Sequence, residues 1–122
     1  MLRAIASTTL ATLLLAGAAY AQAAAKYIWI GMGENVPGSS KCPTYKMTIN
    51  VTVAGDKVTA LFQQEGRTER HFEATKDAQG NYKTTAVVGG GNAIQVSGKI
   101  TPAESTVLLD GYCKFGGHMA KK

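Results

Sequence analysis

Three stretches of the sequence carry residue types that could do chemistry, and the first is a glycine-rich run. Glycines at 89–91 precede Gly98 and Lys99. A phosphate-binding loop places its glycines at fixed offsets and is followed directly by a helix. Ala93 and Ile100 stand where a P-loop requires Gly and Ser/Thr, and the pattern that follows is strand-like. We therefore predict a hairpin turn, because glycine and asparagine readily adopt the positive φ of such turns.

The second and third stretches offer metal-ligand types. Glu69, His71 and Glu73 alternate along one predicted strand. Alternate residues of a strand lie about 7 Å apart, so the two glutamates would be about 13 Å apart, too far to share one ion. His118 and Met119 supply only an isolated pair of copper-type ligands. The sequence thus predicts a solvated strand face, no metal site and no cofactor.

The beginning of the chain has the composition of a secretory signal peptide. Arg3 supplies a positive charge, residues 4–18 are apolar or small, and Ala19 and Ala21 are small residues before a cleavage site. We predict a signal peptide at 1–21, with cleavage after Ala21 or within the next few residues, and a single domain at 22–122. The apolar run is shorter than the roughly 20 residues that span a bilayer. The predicted location is therefore the periplasm or the medium, with no integral membrane span after cleavage.

The cysteines and the distribution of charge argue against two further classes of function, enzymes and nucleic-acid binders. Cys42 and Cys113 form an even pair in a chain predicted to be exported, which predicts a disulfide. No thiol nucleophile then remains, and Ser97 lacks the first glycine of a G-x-S-x-G motif because Gln95 stands there. The net charge of +5 is scattered along the chain, whereas nucleic-acid binders concentrate charge on one face. We predict a monomer that is not an enzyme and has no nucleic-acid partner.

Alternating apolar and polar residues predict an all-β fold. The clearest alternation runs from Tyr45 to Val53, and Val58 to Phe62 repeat it after a Gly-Asp turn. Further strands are predicted at 27–30, 67–75, 82–88, 94–100 and 107–115. About seven to eight short strands indicate an antiparallel up-and-down meander, with a small closed barrel favoured over a sandwich. We expect order over about 26–116 and a flexible C-terminal tail at 117–122.

Three residues are the candidate contacts for a ligand or a partner: Trp29, Met32 and Tyr45. Trp29 is the largest apolar side chain near the start of the mature chain. We expect it to plug one end of the barrel, and the alternative is that it acts as an exposed recognition aromatic.

The sequence resembles a group of small, uncharacterised, secreted proteobacterial β-proteins. The shared features begin with an aromatic strand at 27–29 and a Cys-Pro-x-Tyr-x-Met-x-Ile-x-Val segment at 42–51. Turns follow at 55–58 and 77–80, then an Ile-x-Val-x-Gly-Lys-Ile strand at 94–100 and a final Gly-x-Cys at 111–113. The resemblance covers nearly all of the mature chain. It implies a disulfide-linked β-barrel or β-sandwich and no particular activity.

A fainter, architectural similarity is to periplasmic lysozyme inhibitors, which are small β-barrels with one disulfide. Their Ser-Gly-x-x-Tyr type of loop has no match, because Ser97 and Gly98 lead directly into Lys99 and Ile100. The expected function is therefore an exported, non-catalytic domain that binds a small apolar or envelope ligand or a protein partner. The alternative is a periplasmic inhibitor-type protein directed at an exogenous hydrolase.

Overall fold

A computed structural model describes residues 23–122 of the protein. The predicted signal peptide at 1–21 lies outside the described residues. Within 23–122 the chain forms nine strands: β1 (Ala24–Met32), β2 (Lys46–Ala54), β3 (Lys57–Gln64), β4 (Arg70–Thr75), β5 (Asn81–Val87), β6 (Ala93–Thr101), β7 (Glu104–Asp110), β8 (Lys114–His118) and β9 (Ala120–Lys121). Over the same range, no helix has the length and apolar character that crossing a membrane requires.

The strands pair into two sheets that share one core. One sheet has the order β4-β3-β2-β1-β9, and the other has the order β5-β6-β7-β8. All pairs of neighbouring strands are antiparallel. Across the described residues the two sheets stay separate, because β4 and β5 are each an edge strand. The predicted antiparallel all-β fold is confirmed, whereas the predicted closed barrel is not found.

Alternation along β2 and β3 produces the apolar face of the first sheet. Met47, Ile49 and Val51 are buried, while the residues between them are only partly covered. Ile49 pairs directly with Phe62 of β3, and residues opposite each other across an antiparallel pair share a face. Complete burial of an aliphatic or aromatic side chain contributes about 1.5–3 kcal/mol, so this shared face accounts for the register of the hairpin.

The predicted last strand at 107–115 is two strands in the structure. β7 ends at Asp110 and β8 begins at Lys114, with a tight turn between them in which the Gly111 N–H donates to the Cys113 carbonyl at 3.1 Å. Cys113 and Phe115 are buried like their counterparts in β7. The alternating pattern therefore continues through the turn, which is why it predicted a single strand.

The C-terminal residues join the two sheets. The predicted flexible tail at 117–122 instead completes β8 and forms β9, which pairs with β1. Between these strands the buried Met119 donates its N–H to the Ser105 carbonyl at 2.9 Å. The last residue, Lys122, donates its N–H to the Lys26 carbonyl at 2.8 Å. These partners satisfy the backbone of a segment that the polar sequence alone indicated to be loose.

Aromatic side chains connect the two sheets between β4 and β5, the neighbouring edge strands that do not pair with each other. Phe62, Phe72 and Tyr82 come from β3, β4 and β5, and both neighbouring pairs have ring centroids 6.3 Å apart. The rings of Phe72 and Tyr82 are nearly parallel, with an interplanar angle of 16°. Offset aromatic pairs at this spacing are favourable, so side-chain packing closes the seam between β4 and β5.

The predicted Cys42–Cys113 disulfide is confirmed, with the two Cα atoms 5.6 Å apart. Cys42 begins a 3₁₀ turn just before β2, and Cys113 lies in the turn between β7 and β8. The bond therefore links one sheet to the other. Next to it, Glu34 and Lys114 form an isolated antiparallel bridge with backbone hydrogen bonds of 2.8 and 3.0 Å.

Removing this disulfide should weaken the fold measurably. The bond closes a loop across a sequence separation of 71 residues, and such closure contributes typically about 2–4 kcal/mol. We expect Cys42→Ala combined with Cys113→Ala to lower the free energy of unfolding by that amount in urea denaturation. The reduced wild-type protein should shift in the same direction. A loss below about 1 kcal/mol would contradict the structural role of the bond.

Burial of Tyr82 predicts a fall in stability at alkaline pH. Its hydroxyl donates to the Thr106 carbonyl at 2.7 Å, and burial raises the pKa of the Tyr82 phenol above its ordinary value. In the unfolded chain this phenol titrates near pH 10, about where a free tyrosine does. Above that pH only the unfolded state readily loses the proton, so the free energy of unfolding should fall as pH rises.

Tyr82→Phe tests this linkage. The variant should lose about 1 kcal/mol near neutral pH, because the Thr106 carbonyl loses its donor. Its free energy of unfolding should then fall less steeply than that of the wild type above about pH 10. Urea denaturation at a series of pH values measures both effects, and parallel curves for the two proteins would contradict the assignment.

Candidate functional site

A cavity of about 540 Å³ opens at one end of the two-sheet body. It lies where β2 begins and β3 ends, beside the connections β3–β4, β5–β6 and β7–β8. The side chains and loops that line it come from both sheets: Tyr45, Met47, Phe62, Gln64, Arg67, Thr68, Arg70, Val88, Gly89, Asn92, Ala93, Ile94, Gly111 and Tyr112. The cavity is therefore an opening into the shared core.

The floor of the cavity is apolar. Met47, Phe62 and Ile94 are buried core residues on the inner faces of β2, β3 and β6. Val88 is half-buried and packs against the same core. A ligand that reaches this depth would contact hydrocarbon and aromatic surface, which favours an apolar group.

Gln64 and Tyr112 form a polar part of the cavity lining next to this apolar floor. Gln64 follows the alternation of β3, pairs directly with Met47 and is buried, with 8% of its surface exposed. Its Oε1 accepts a short hydrogen bond from the Tyr112 hydroxyl. The Tyr112 ring also stands edge-on to Phe115, with centroids 5.9 Å apart. The partner on the opposite sheet therefore satisfies the buried amide oxygen of Gln64.

The Tyr112 phenol responds to its neighbours at the cavity mouth. Burial is the largest influence and raises its pKa, the Arg67 guanidinium lowers that pKa, and Tyr45 raises it. These influences place the three polar groups at the same mouth. With a raised pKa, Tyr112 is a neutral hydroxyl at physiological pH.

Arg70 reaches across the seam between the two sheets. It pairs directly with the buried Phe62, so it projects from the inner face of β4. One of its guanidinium nitrogens would lie 3.6 Å from a Cβ placed on Gly89, in the β5–β6 connection. A charged, half-buried side chain thus extends from one sheet to the loop of the other.

The β5–β6 connection forms the wall opposite Arg70. The predicted hairpin at the glycine run is confirmed, because Val87 of β5 pairs with Ala93 of β6. Gly90 has a φ of +73°, which few other residues adopt. The Asn92 side chain donates to the Gly89 carbonyl at 3.1 Å. Gly91 also has a positive φ, so these two glycines serve the turn, whereas a Cβ on Gly89 would make only an ordinary van der Waals contact with Arg70.

The structure places the three contact residues predicted from the sequence in three different environments. Tyr45 lines the cavity. Trp29 is outside the cavity lining, on the inner face of β1 opposite Ile49, and packs against the core. Met32 pairs with the exposed Lys46 on the outer face and is 49% exposed itself. Only Tyr45 is brought to the site that the structure presents.

Six polar lining residues were not among the predicted contacts: Gln64, Arg67, Thr68, Arg70, Asn92 and Tyr112. For two of them the sequence carries a signal. Gln64 stands two positions after Phe62, and Arg70 stands two positions before Phe72, so both occupy inward positions of their strands. Tyr112 had no such signal, because its turn was hidden within an alternating pattern.

Comparison of the chain with family models, with curated proteins and with solved structures finds no match.

Arg67→Gln should raise the pKa of Tyr112 further. The guanidinium favours the phenolate, and the neutral amide does not. Titration of tyrosine side chains labelled with ¹³C at Cζ measures the change by NMR. Lys83→Gln, on the outer face of β5 away from the cavity lining, removes the same charge and should leave the Tyr112 titration unchanged. Equal titration curves for wild type and Arg67→Gln would place Arg67 away from Tyr112.

Proposed function

We propose that the protein is an exported, non-catalytic β-domain that binds a small, largely apolar molecule in this cavity. The observation that carries the proposal is the cavity of about 540 Å³ with an apolar floor supplied by both sheets. Small-molecule sites in proteins typically measure about 300–1,000 Å³, with mainly apolar walls and a few placed polar groups. Gln64, Tyr45 and Tyr112 supply such groups here.

The chemistry of the lining supports a binding role rather than catalysis. Among the described residues, the cavity lining contains no His, Cys, Lys, Asp or Glu, which are the usual general acids, bases and nucleophiles. Tyr112 has a raised pKa and so stays protonated at neutral pH. The lining therefore offers hydrogen-bond donors and apolar surface, but no base.

The disulfide and the leader composition support export. Disulfides persist in oxidising compartments such as the periplasm and the medium, and Cys42 and Cys113 are bonded. The first residues have the charge and apolar pattern of a secretory signal. We place the mature protein in the bacterial envelope or outside the cell, as a monomer.

A protein partner is the second candidate function, and the outer face of the first sheet favours it. Ile30, Met32 and Leu61 are 56%, 49% and 49% exposed. Contact with another protein would cover such side chains. An inhibitor-type role against a hydrolase belongs to this second class.

A bulky residue in the cavity should weaken binding of an apolar probe. N-phenyl-1-naphthylamine is uncharged and fluoresces in apolar surroundings. We expect it to bind the mature wild-type protein, and Val88→Trp to weaken that binding at least about tenfold because the indole fills the space above Met47 and Phe62. Fluorescence titration measures both affinities.

The neighbouring valine supplies the control. Val87 is 63% exposed and does not line the cavity, so Val87→Trp adds the same side chain on the outside. This variant should bind the probe as the wild type does, and urea denaturation establishes that both variants are folded. Equal weakening in the two variants, or no binding to wild type, would overturn the proposal.

A further inference from the structure

Among the residues that the structure describes, two arginines and no acidic residue line the cavity, while Glu65 and Glu69 of the same β3–β4 connection lie outside its lining. Arg67 and Arg70 both line the cavity, and its lining includes no aspartate or glutamate within the described part of the chain. Clefts lined by one sign of charge attract ions of the opposite sign. The electrostatics of the mouth therefore favour an anion.

The two arginines lie three residues apart in the sequence, and both line the cavity. Arg67 lines it together with Tyr112, whose pKa the Arg67 guanidinium lowers. Arg70 projects from the inner face of β4 and lies against Gly89 on the far side of the seam. Guanidinium groups present fixed forks of N–H donors that match a carboxylate.

Below this rim the cavity is hydrocarbon and aromatic. Met47, Phe62 and Ile94 are buried, and each belongs to the core. A small inorganic anion would occupy only the rim, whereas a neutral apolar molecule would leave both arginines without a counter-charge. A molecule with an anionic head and an apolar body can contact the arginines at the rim and the apolar residues below them at the same time.

We propose that the ligand is a free, single-chain amphipathic anion of the fatty-acid type. Its carboxylate lies between Arg67 and Arg70, and its chain extends over Met47, Phe62 and Ile94. This inference rests on the proposed function, because it uses the same cavity and names the chemical class of its occupant.

The first test compares probes with the same chain and different heads. Isothermal titration calorimetry of the mature protein with decanoate, 1-decanol and decylamine separates the apolar contribution from that of the charge. We expect decanoate to bind at least about tenfold more tightly than 1-decanol, as charge-assisted hydrogen bonds would give, and decylamine to bind least. Acetate, which lacks the chain, should show no measurable binding.

Variants that remove charge test whether Arg67 and Arg70 bind the carboxylate. Arg67→Gln combined with Arg70→Gln should weaken decanoate binding about tenfold or more and change 1-decanol binding less than about twofold. Lys57→Gln combined with Lys83→Gln removes the same net charge from exposed positions outside the cavity lining. That control should retain the affinity of the wild type for decanoate. Val88→Trp should weaken binding of decanoate at least about tenfold, as it does for the uncharged fluorophore.

Salt dependence gives a readout that needs no variant. Exposed charges are screened as ionic strength rises, and Arg67 is exposed. Raising NaCl from about 20 mM to about 500 mM should weaken decanoate binding several-fold and leave 1-decanol binding nearly unchanged. If the double arginine variant does not fold, a salt-independent decanoate affinity still overturns the inference.

The outcomes separate this inference from the proposed function. Equal binding of decanoate and 1-decanol, or binding of the fluorophore without competition by decanoate, overturns the anionic head group and leaves the apolar cavity standing. Failure of the fluorophore and of all three chain probes overturns both. Co-sedimentation with phosphatidylglycerol vesicles in the absence of decanoate binding would replace the free ligand by a membrane surface and also overturns the inference.

Discussion

The bond between Cys42 and Cys113 is the constraint on which the cavity end of the molecule depends. Both cysteines are buried, and they belong to turns that lead into different sheets. Each turn also carries a tyrosine of the cavity mouth, Tyr45 after the first cysteine and Tyr112 directly before the second. Because the bond holds the turns together, it also sets the separation of the two phenols and places Tyr112 within reach of Gln64.

The opposite side of the mouth is held by side chains. β4 and β5 are edge strands, and the aromatic rings of Phe72 and Tyr82 meet across the gap between them. Arg70 has the same orientation as Phe72 on β4 and extends the row to the β5–β6 loop. The mouth therefore has one covalently fixed wall and one wall made of side-chain contacts. Arg70 lies on the second wall, where rotamer changes alone can alter the position of its guanidinium group.

Local alternation predicted most of the strands, because one residue in two must face the core of such a sheet. The glycine run predicted its hairpin, and an even cysteine count in a chain predicted to be exported indicated the disulfide. The arrangement of the strands into two sheets was harder to predict from the sequence. Alternation continues through Gly111 to Cys113 and so concealed a turn. Neither the separation of β4 from β5 nor the pairing of β9 with β1 follows from it, because both depend on contacts distant in sequence.

Among the predicted contact residues, Trp29 was chosen for the size of its side chain, and the structure places it outside the cavity lining. Trp29 is large and half-buried because it covers glycines of β1 and β8, which is a packing role. A stronger signal was a polar residue at an inward position, because burying a polar group is unfavourable unless something pairs with it. Gln64 and Arg70 occupy such positions at the facing ends of consecutive strands, on the two sides of one connection. Polar residues that interrupt the apolar face at the same end of neighbouring strands therefore mark the place where the core opens into the cavity.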